Sequence, residues 1–159
     1  MPQIIKTASG RSDAVVGLLT AIPYAAGAVA MVLAGRHSDR AGERRWHVAA
    51  GVVVSAIGLV STTVAVGTMS SVTALSIAMI GLASIFGPFW ALAAGAARGI
   101  GAAAAIALIN SVGNTGGFVG PYLLGRISDA THSFAAGLLV IATLMLTGGV
   151  LLLFVRQDV

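Results

Sequence analysis

The stretch from Trp46 to Ala97, which reads WHVAAGVVVSAIGLVSTTVAVGTMSSVTALSIAMIGLASIFGPFWALAAGAA, contains no Asp, Glu, Lys or Arg. About 20 apolar residues are needed to cross the hydrocarbon of a bilayer as a helix, so this stretch is long enough for two crossings. The small and polar residues at 67–71, GTMSS, indicate a hairpin between them. The sequence therefore predicts transmembrane helices at about 48–66 and 72–94.

Charge-free runs on either side of this stretch predict three more spans, at about 14–35, 99–125 and 134–155. Strands of membrane barrels alternate apolar and polar residues over about ten positions, and these runs do not alternate. The predicted fold class is therefore an all-α integral membrane protein with five transmembrane helices. Residues 1–159 are expected to form a single membrane domain.

The composition agrees with a lipid environment and excludes several classes of protein. Apolar residues make up 57% of the 159 residues, charged residues make up 9%, and the mean hydropathy is +0.97. Soluble domains carry about 25% charged residues, so a soluble enzyme is excluded, as is a disordered chain. The absence of cysteine removes thiolate catalysis and cysteine-bound metals. No cofactor is expected.

The basic residues lie at the ends of the apolar runs, which is how membrane proteins set their orientation. The net charge of +4 therefore does not indicate a nucleic-acid partner. Five crossings put six arginines on one face, which we expect to be cytoplasmic: Arg36, Arg40, Arg44, Arg45, Arg98 and Arg156. The other face receives three residues, Lys6, Arg11 and Arg126. This topology places the amino terminus outside the inner (plasma) membrane without a secretory signal, which suggests that a preceding part is missing.

The most highly charged segment is 36–47, predicted to be a cytoplasmic loop between the first two spans. Gly35 permits close contact between helices, and Asp39 lies where a carboxylate can meet the amino terminus of a neighbouring helix. Gly42 allows a tight turn, and the arginines can pair with carboxylates or lipid phosphates.

The order of these residues resembles the G-x-x-x-D-R-x-G-R-R loop of the major facilitator superfamily, a family of secondary transporters with two six-helix halves. The matching residues are Gly35, Asp39, Arg40, Gly42, Arg44 and Arg45, whereas Glu43 stands where an arginine is common. Segments 86–90, 102–114 and 116–123 are similar to the closing helices of the anion:cation symporter family within it. Members of that family include permeases for tartrate, glucarate, galactonate and phthalate.

The resemblance covers nearly the whole chain, as helices eight to twelve and a short piece of helix seven. It implies a carboxy-terminal part of a transporter that moves small organic anions, such as sugar acids, by proton or other cation symport with alternating access. None of the predicted spans contains Asp or Glu. In the resembling family the coupling carboxylates and a substrate-binding arginine belong to the amino-terminal half, which would be the missing partner.

Two asparagines in the fourth span are candidate binding residues. Asn110 and Asn114 are four residues apart, so they share one helix face, on which Gly113 and Gly117 also lie. Amides are costly in hydrocarbon unless they face protein or water, so this face could border a cavity. The alternative is helix packing, because Gly113 and Gly117 have the G-x-x-x-G spacing that brings helices together.

Trp90 is the third candidate, and it follows Gly87-Pro88 in the middle of the third span. Tryptophan usually lies at the membrane interface, but this depth argues against that position. The family resemblance implies that Trp90 and Asn110 face the central cavity and contact substrate through stacking and hydrogen bonds.

No sequence motif of an enzyme is present, and the histidines at 37, 47 and 132 are too scattered to suggest a metal site. The chain is therefore not expected to be an enzyme. Two alternatives to a transporter fragment stay open. One is a small self-associating channel or transporter, and the other is an accessory membrane subunit.

Overall fold

The computed structural model describes residues 1–96 and 101–155. They form six helices: α1 Pro2–Ser9, α2 Asp13–Ala41, α3 Arg45–Val64, α4 Thr68–Ala96, α5 Ala102–Thr131 and α6 Phe134–Leu153. Helices α2 to α6 are each long and apolar enough to cross a membrane, and the described part of the chain contains no strand. The predicted fold class is thus confirmed. Arg98, Arg156 and the predicted start of the fourth span at Gly99 lie outside the described residues.

Helices α2 to α6 alternate in direction, so the bundle has two distinct ends. We name the end that holds residues 36–47 the motif end. There Arg45, at the start of α3, donates from Nη1 to the carbonyls of Leu153 and Val155 at 3.4 and 3.1 Å, so the end of α6 lies there too. At the opposite end, the Thr68 hydroxyl donates to the Ala8 carbonyl at 3.4 Å, which joins α4 to α1.

The closest contact in the bundle is the seam between α3 and α4, which small residues make possible. A Cβ atom on Gly58 would overlap the backbone of Ala78, and one on Gly81 would overlap the backbone of Ser55. A Cβ on Gly51 would lie 2.9 Å from the Gly81 carbonyl oxygen. Membrane helices gain stability from such close backbone packing because lipid offers no hydrophobic drive for association.

Glycines also set the other helix contacts. On α2, a Cβ on Gly27 would lie 3.2 Å from the Met79 carbonyl oxygen of α4. Nearer the motif end, a Cβ on Gly87 would lie 3.3 Å from Gly35 Cα, so α2 and α4 cross there without an intervening side chain. Helix α6 packs on α3 through Gly149. Helix α4 is therefore held between α2 and α3, and α6 covers the far side of α3.

The short helix α1 covers the opposite end of the bundle. Ile5 is completely buried and packs in a cluster with Val16, Val72 and Leu75. Lys6 Nζ also pairs with Asp13 Oδ1 at 2.5 Å, across the turn that joins α1 to α2. These contacts tie the start of the chain to α2 and α4.

The helices run further into segment 36–47 than predicted, so the expected loop is largely helical. Helix α2 continues to Ala41 and α3 begins at Arg45, which leaves residues 42–44 as the connection. Charge alone does not stop a helix, and no proline interrupts residues 36–41. The helix ends where Gly42 takes the left-handed conformation, with φ of 64°.

Candidate functional site

The three predicted binding residues line one pocket between α4 and α5. Trp90 comes from α4, and Asn110 and Asn114 come from α5. The cavity has a volume of about 350 Å³, and apolar side chains form most of the remaining lining: Leu82, Ile85, Phe86, Phe89 and Ile109. The structure therefore brings together residues that are distant in sequence, and it places two amides and an indole in a mostly apolar pocket.

The α4 side of the pocket is held in place by the bundle. Pro88 is fully buried, and Trp90 follows it as a half-buried side chain. The rings of Phe89 and Trp90 meet edge to face, with centroids 5.4 Å apart and an interplanar angle of 74°. This is a favourable geometry for two aromatic rings, so Phe89 helps to orient the indole.

The α5 side of the pocket is open. None of the residues of α5 is buried, and both Asn110 and Asn114 are exposed. Outside α5 itself, no described atom lies within 4 Å of where a Cβ on Gly113 or Gly117 would be. The G-x-x-x-G packing considered from the sequence is therefore not made within the described residues. The asparagines border the pocket and the open side of the bundle.

The motif residues form a compact turn at the motif end. Asp39 Oδ1 accepts from Arg44 Nη1 at 2.8 Å, and two-thirds of the Asp39 side chain stays exposed, at 66%. Ser38 is completely buried, and its hydroxyl donates to the Glu43 carbonyl at 2.7 Å. These two bonds fold residues 42–44 back onto the end of α2.

The remaining motif residues have separate positions. Gly35 lies at the crossing with Gly87, and Arg40 is exposed. Arg45 donates to the carbonyl of Leu153, the last residue of α6, where the helix dipole places partial negative charge, and to the carbonyl of Val155 just beyond it. The sequence predicted that the arginines would pair with carboxylates or lipid phosphates. Arg44 pairs with a carboxylate, whereas Arg45 binds backbone carbonyls instead.

Glu43 caps helix α3, a role that was not predicted from the sequence. Its carboxylate accepts from the Trp46 backbone amide at 2.9 Å and contacts His47 Nδ1 at 3.1 Å. Partial burial raises the pKa of Glu43, but the hydrogen bonds from the Trp46 amide and His47 outweigh this effect, so the pKa lies below its usual value. An acidic residue just before a helix start is a recognisable signal of this role.

Two of the three histidines, regarded as scattered in the sequence, meet at the motif end. His37 Nδ1 and His47 Nε2 are 2.7 Å apart, and their ring centroids are 5.0 Å apart. The two rings therefore link the end of α2 to the start of α3. Across residues 1–96 and 101–155, no group of three or more His, Cys, Asp or Glu side chains could hold a metal ion.

Within the described residues, five helices long enough to span a membrane, with a mostly apolar pocket between two of them, define a multi-pass α-helical membrane protein. In membrane transporters, substrate sites lie between helices near the middle of the membrane. A family model, described as Major Facilitator Superfamily, matches residues 1–159. The chain belongs to this superfamily, so it is a multi-pass inner-membrane protein of a transporter family and not an enzyme.

Several curated proteins are similar to this chain. A "Putative tartrate transporter" of Agrobacterium vitis is 43% identical over 98% of this chain and 36% of its own length. A "Quinolone resistance transporter" of Acinetobacter baumannii is 36% identical over 95% of this chain and 35% of its own length. An "Inner membrane transport protein RhmT" of Escherichia coli is 33% identical over 89% of this chain and 33% of its own length. The chain thus spans about a third of the length of these relatives. No solved structure matches it.

Proposed function

We propose that this chain supplies helices eight to twelve of a secondary transporter for small organic anions, such as sugar acids or related carboxylates. The pocket of about 350 Å³ that joins Trp90, Asn110 and Asn114 carries this proposal. Its volume lies within the range of about 300–1,000 Å³ that is usual for small-molecule sites. The relatives named for tartrate support the choice of a small carboxylate.

The pocket chemistry suits a hydroxylated carboxylate, although it is incomplete. Amides of Asn110 and Asn114 can donate to carboxylate oxygens and accept from hydroxyls, and the Trp90 indole can cover the carbon skeleton. None of the residues that line the pocket is basic. Because a buried carboxylate is costly without a cation, the proposed amino-terminal half would supply the basic group as well as the carboxylates for proton or other cation coupling.

Alternating access would occur as the two halves rock about this site. The motif turn would lie on the cytoplasmic side and contact the partner half. Asp39 uses one oxygen for Arg44 and remains 66% exposed, so its carboxylate is accessible to a second donor. The exposed Arg40 is available for a carboxylate of the partner half. Such contacts would stabilise one of the two states.

A reconstituted split transporter tests this proposal. The remaining two-thirds of the Agrobacterium vitis relative would be co-expressed with this chain as a second polypeptide, and uptake of labelled tartrate would be measured in proteoliposomes. We expect saturable uptake only when both polypeptides are present. Saturable uptake by the chain alone would contradict the proposal.

Variants of the pocket test the binding roles in the same system. Loss of a hydrogen bond to a charged group costs about 1.5–3 kcal/mol, so Asn110→Ala should raise the apparent KM by roughly 10-fold or more. Trp90→Ala should raise it as well. The matched control is Leu108→Ala, because Leu108 is on the same helix, 65% exposed and outside the pocket lining. Unchanged apparent affinity in both pocket variants would remove these residues from the site.

The unburied α5 favours a second candidate function, in which copies of the chain associate and cover this helix in place of a missing half. The glycines at 113, 116, 117 and 120 would allow a close approach. A defined dimer of the purified chain in detergent, together with uptake that needs no second polypeptide, would support it. A monomer without uptake would exclude it.

A further inference from the structure

Three side chains at the motif end form a continuous hydrogen-bonded row. Glu43 Oε2 contacts His47 Nδ1 at 3.1 Å, and His47 Nε2 contacts His37 Nδ1 at 2.7 Å. Glu43 lies in the connection between the helices, His47 at the start of α3 and His37 near the end of α2. Both nitrogens of the His47 ring are therefore engaged, one by a carboxylate and one by another imidazole.

The chemistry of these groups fixes which atoms carry protons. An ionised carboxylate only accepts hydrogen bonds, so His47 Nδ1 is the donor to Glu43. In neutral His47 the other nitrogen, Nε2, must then accept, and His37 Nδ1 donates to it. The ring nitrogen outside both contacts is His37 Nε2, and one proton added there preserves the row. The hydrogen between the rings can then lie on His37 Nδ1 or on His47 Nε2, because either facing nitrogen can donate to the other. A second added proton puts a hydrogen on both facing nitrogens and leaves no acceptor between them.

Five other charged residues lie in the segment, and three of them contact groups outside the pair. The other charged residues of the segment are Arg36, Asp39, Arg40, Arg44 and Arg45. Asp39 and Arg44 pair with each other, and Arg45 donates to the carbonyls of α6. The described ends of α4 and α6 at the motif end bring no ionisable side chain. Glu43 is thus the carboxylate in contact with the pair, and it compensates one positive charge and not two.

We propose that His37 and His47 together bind one added proton, and that the two rings share its charge through the contact between His37 Nδ1 and His47 Nε2. The first proton strengthens the link between α2 and α3, because a hydrogen bond with a charged donor is stronger than a neutral one. The second proton breaks the link. The site lies in the motif segment, so its effect on transport rests on the proposed function, but proton binding itself does not.

Histidine titration in the complete chain tests the proposal. The chain would be labelled with 15N-histidine, placed in lipid nanodiscs with EDTA to remove adventitious metal, and followed by NMR as the pH is lowered. We expect the two rings to titrate as two coupled steps, because adding a proton to one ring changes the proton affinity of the other. His132→Gln removes the third signal and should leave both steps unchanged.

Substitutions at the pair complete the test. His37→Gln should reduce the two steps to a single step of His47, and Glu43→Gln should move the first step to lower pH by removing the compensating charge. Two independent titrations with the same midpoint in the original chain, unmoved by His37→Gln, would overturn the proposal. That measurement requires no transport, so failure here is distinguishable from failure of the proposed function.

Discussion

Helix α5 and the seam between α3 and α4 use the same residue type in opposite ways. At the seam, Gly58 and Gly81 lie so close to the facing backbone that even a methyl group would overlap it. On α5, the glycines at 113, 116, 117 and 120 have open space around them. Glycine spacing in a membrane helix therefore marks a surface for close approach, and the structure decides whether the approaching surface belongs to the same chain.

The chain alone buries parts of α2, α3 and α4, but it leaves α5 without a buried residue. An amide side chain in contact with lipid raises the free energy of the folded state. Because Asn110 and Asn114 are exposed, we expect a protein surface or water beside this part of α5. The candidate pocket lies at the boundary between these two regions.

The largest expected effect is at the seam. Gly58→Ala should destabilise the chain by about 3 kcal/mol, because the added methyl group would overlap the backbone of Ala78. Unfolding by added SDS in mixed micelles, followed by circular dichroism, measures this change. A loss below about 0.5 kcal/mol would mean that the seam is looser than described.

A smaller effect is expected where α6 packs on α3, and this helix supplies its own control. Gly149→Ala brings a methyl group to 2.9 Å from Val52 Cγ1, which is the end of a side chain, so a cost of about 1–2 kcal/mol is expected. Gly148→Ala meets open space and should not destabilise. The same unfolding assay compares the two variants, and equal losses would contradict the described packing.

A cap also distinguishes α3 from α5, because Glu43 caps α3 whereas Gly101 before α5 provides no side-chain cap. Glu43→Ala should cost about 1 kcal/mol at neutral pH, the usual value of a lost cap. Since the pKa of Glu43 is lowered by folding, its contribution is present above the unfolded pKa and is lost as the pH falls through the folded pKa. The stability difference between the original chain and the variant should therefore shrink at acidic pH. A difference that is constant with pH would exclude an ionised cap.

The smallest expected effect on stability is on α5. Gly113→Ala should change the stability of the isolated chain by less than about 1 kcal/mol, and in the stabilising direction, because the methyl group meets open space and alanine favours the helix. In the split transporter the same substitution should reduce uptake, since it narrows the pocket that Gly113 lines. Destabilisation of the isolated chain as large as that of Gly58→Ala would remove the contrast between the two regions.

The sequence was sufficient for the number of spans, because spans depend on local patterns, and it indicated three of the residues that line the pocket. Charge-free runs mark helices, and the amides at 110 and 114 stand out against apolar neighbours. The family resemblance implied that Trp90 and Asn110 face the central cavity and contact substrate. The structure places both in the lining of one pocket, and substrate contact stays a prediction.

Contacts between helices could not be predicted from the sequence in this way. The G-x-x-x-G spacing drew attention to Gly113 and Gly117, but the close contacts are at Gly58 and Gly81, whose partners are on another helix. His37 and His47 meet because α2 extends to Ala41 and the connection is short. Neither the length of α2 nor the fold of the turn follows from charge patterning.

The α3–α4 seam also bears on the order in which the chain assembles during synthesis. Only residues 65–67 join α3 to α4. The backbones of the two helices contact each other at glycines, so no large side chains have to be packed between them. The pair can therefore associate in the bilayer as soon as α4 has been inserted, before α5 and α6 have left the ribosome. Helix α2, already in the membrane, then docks on the exposed side of α4. The closest-packed pair of helices can thus form before the unburied α5 is complete.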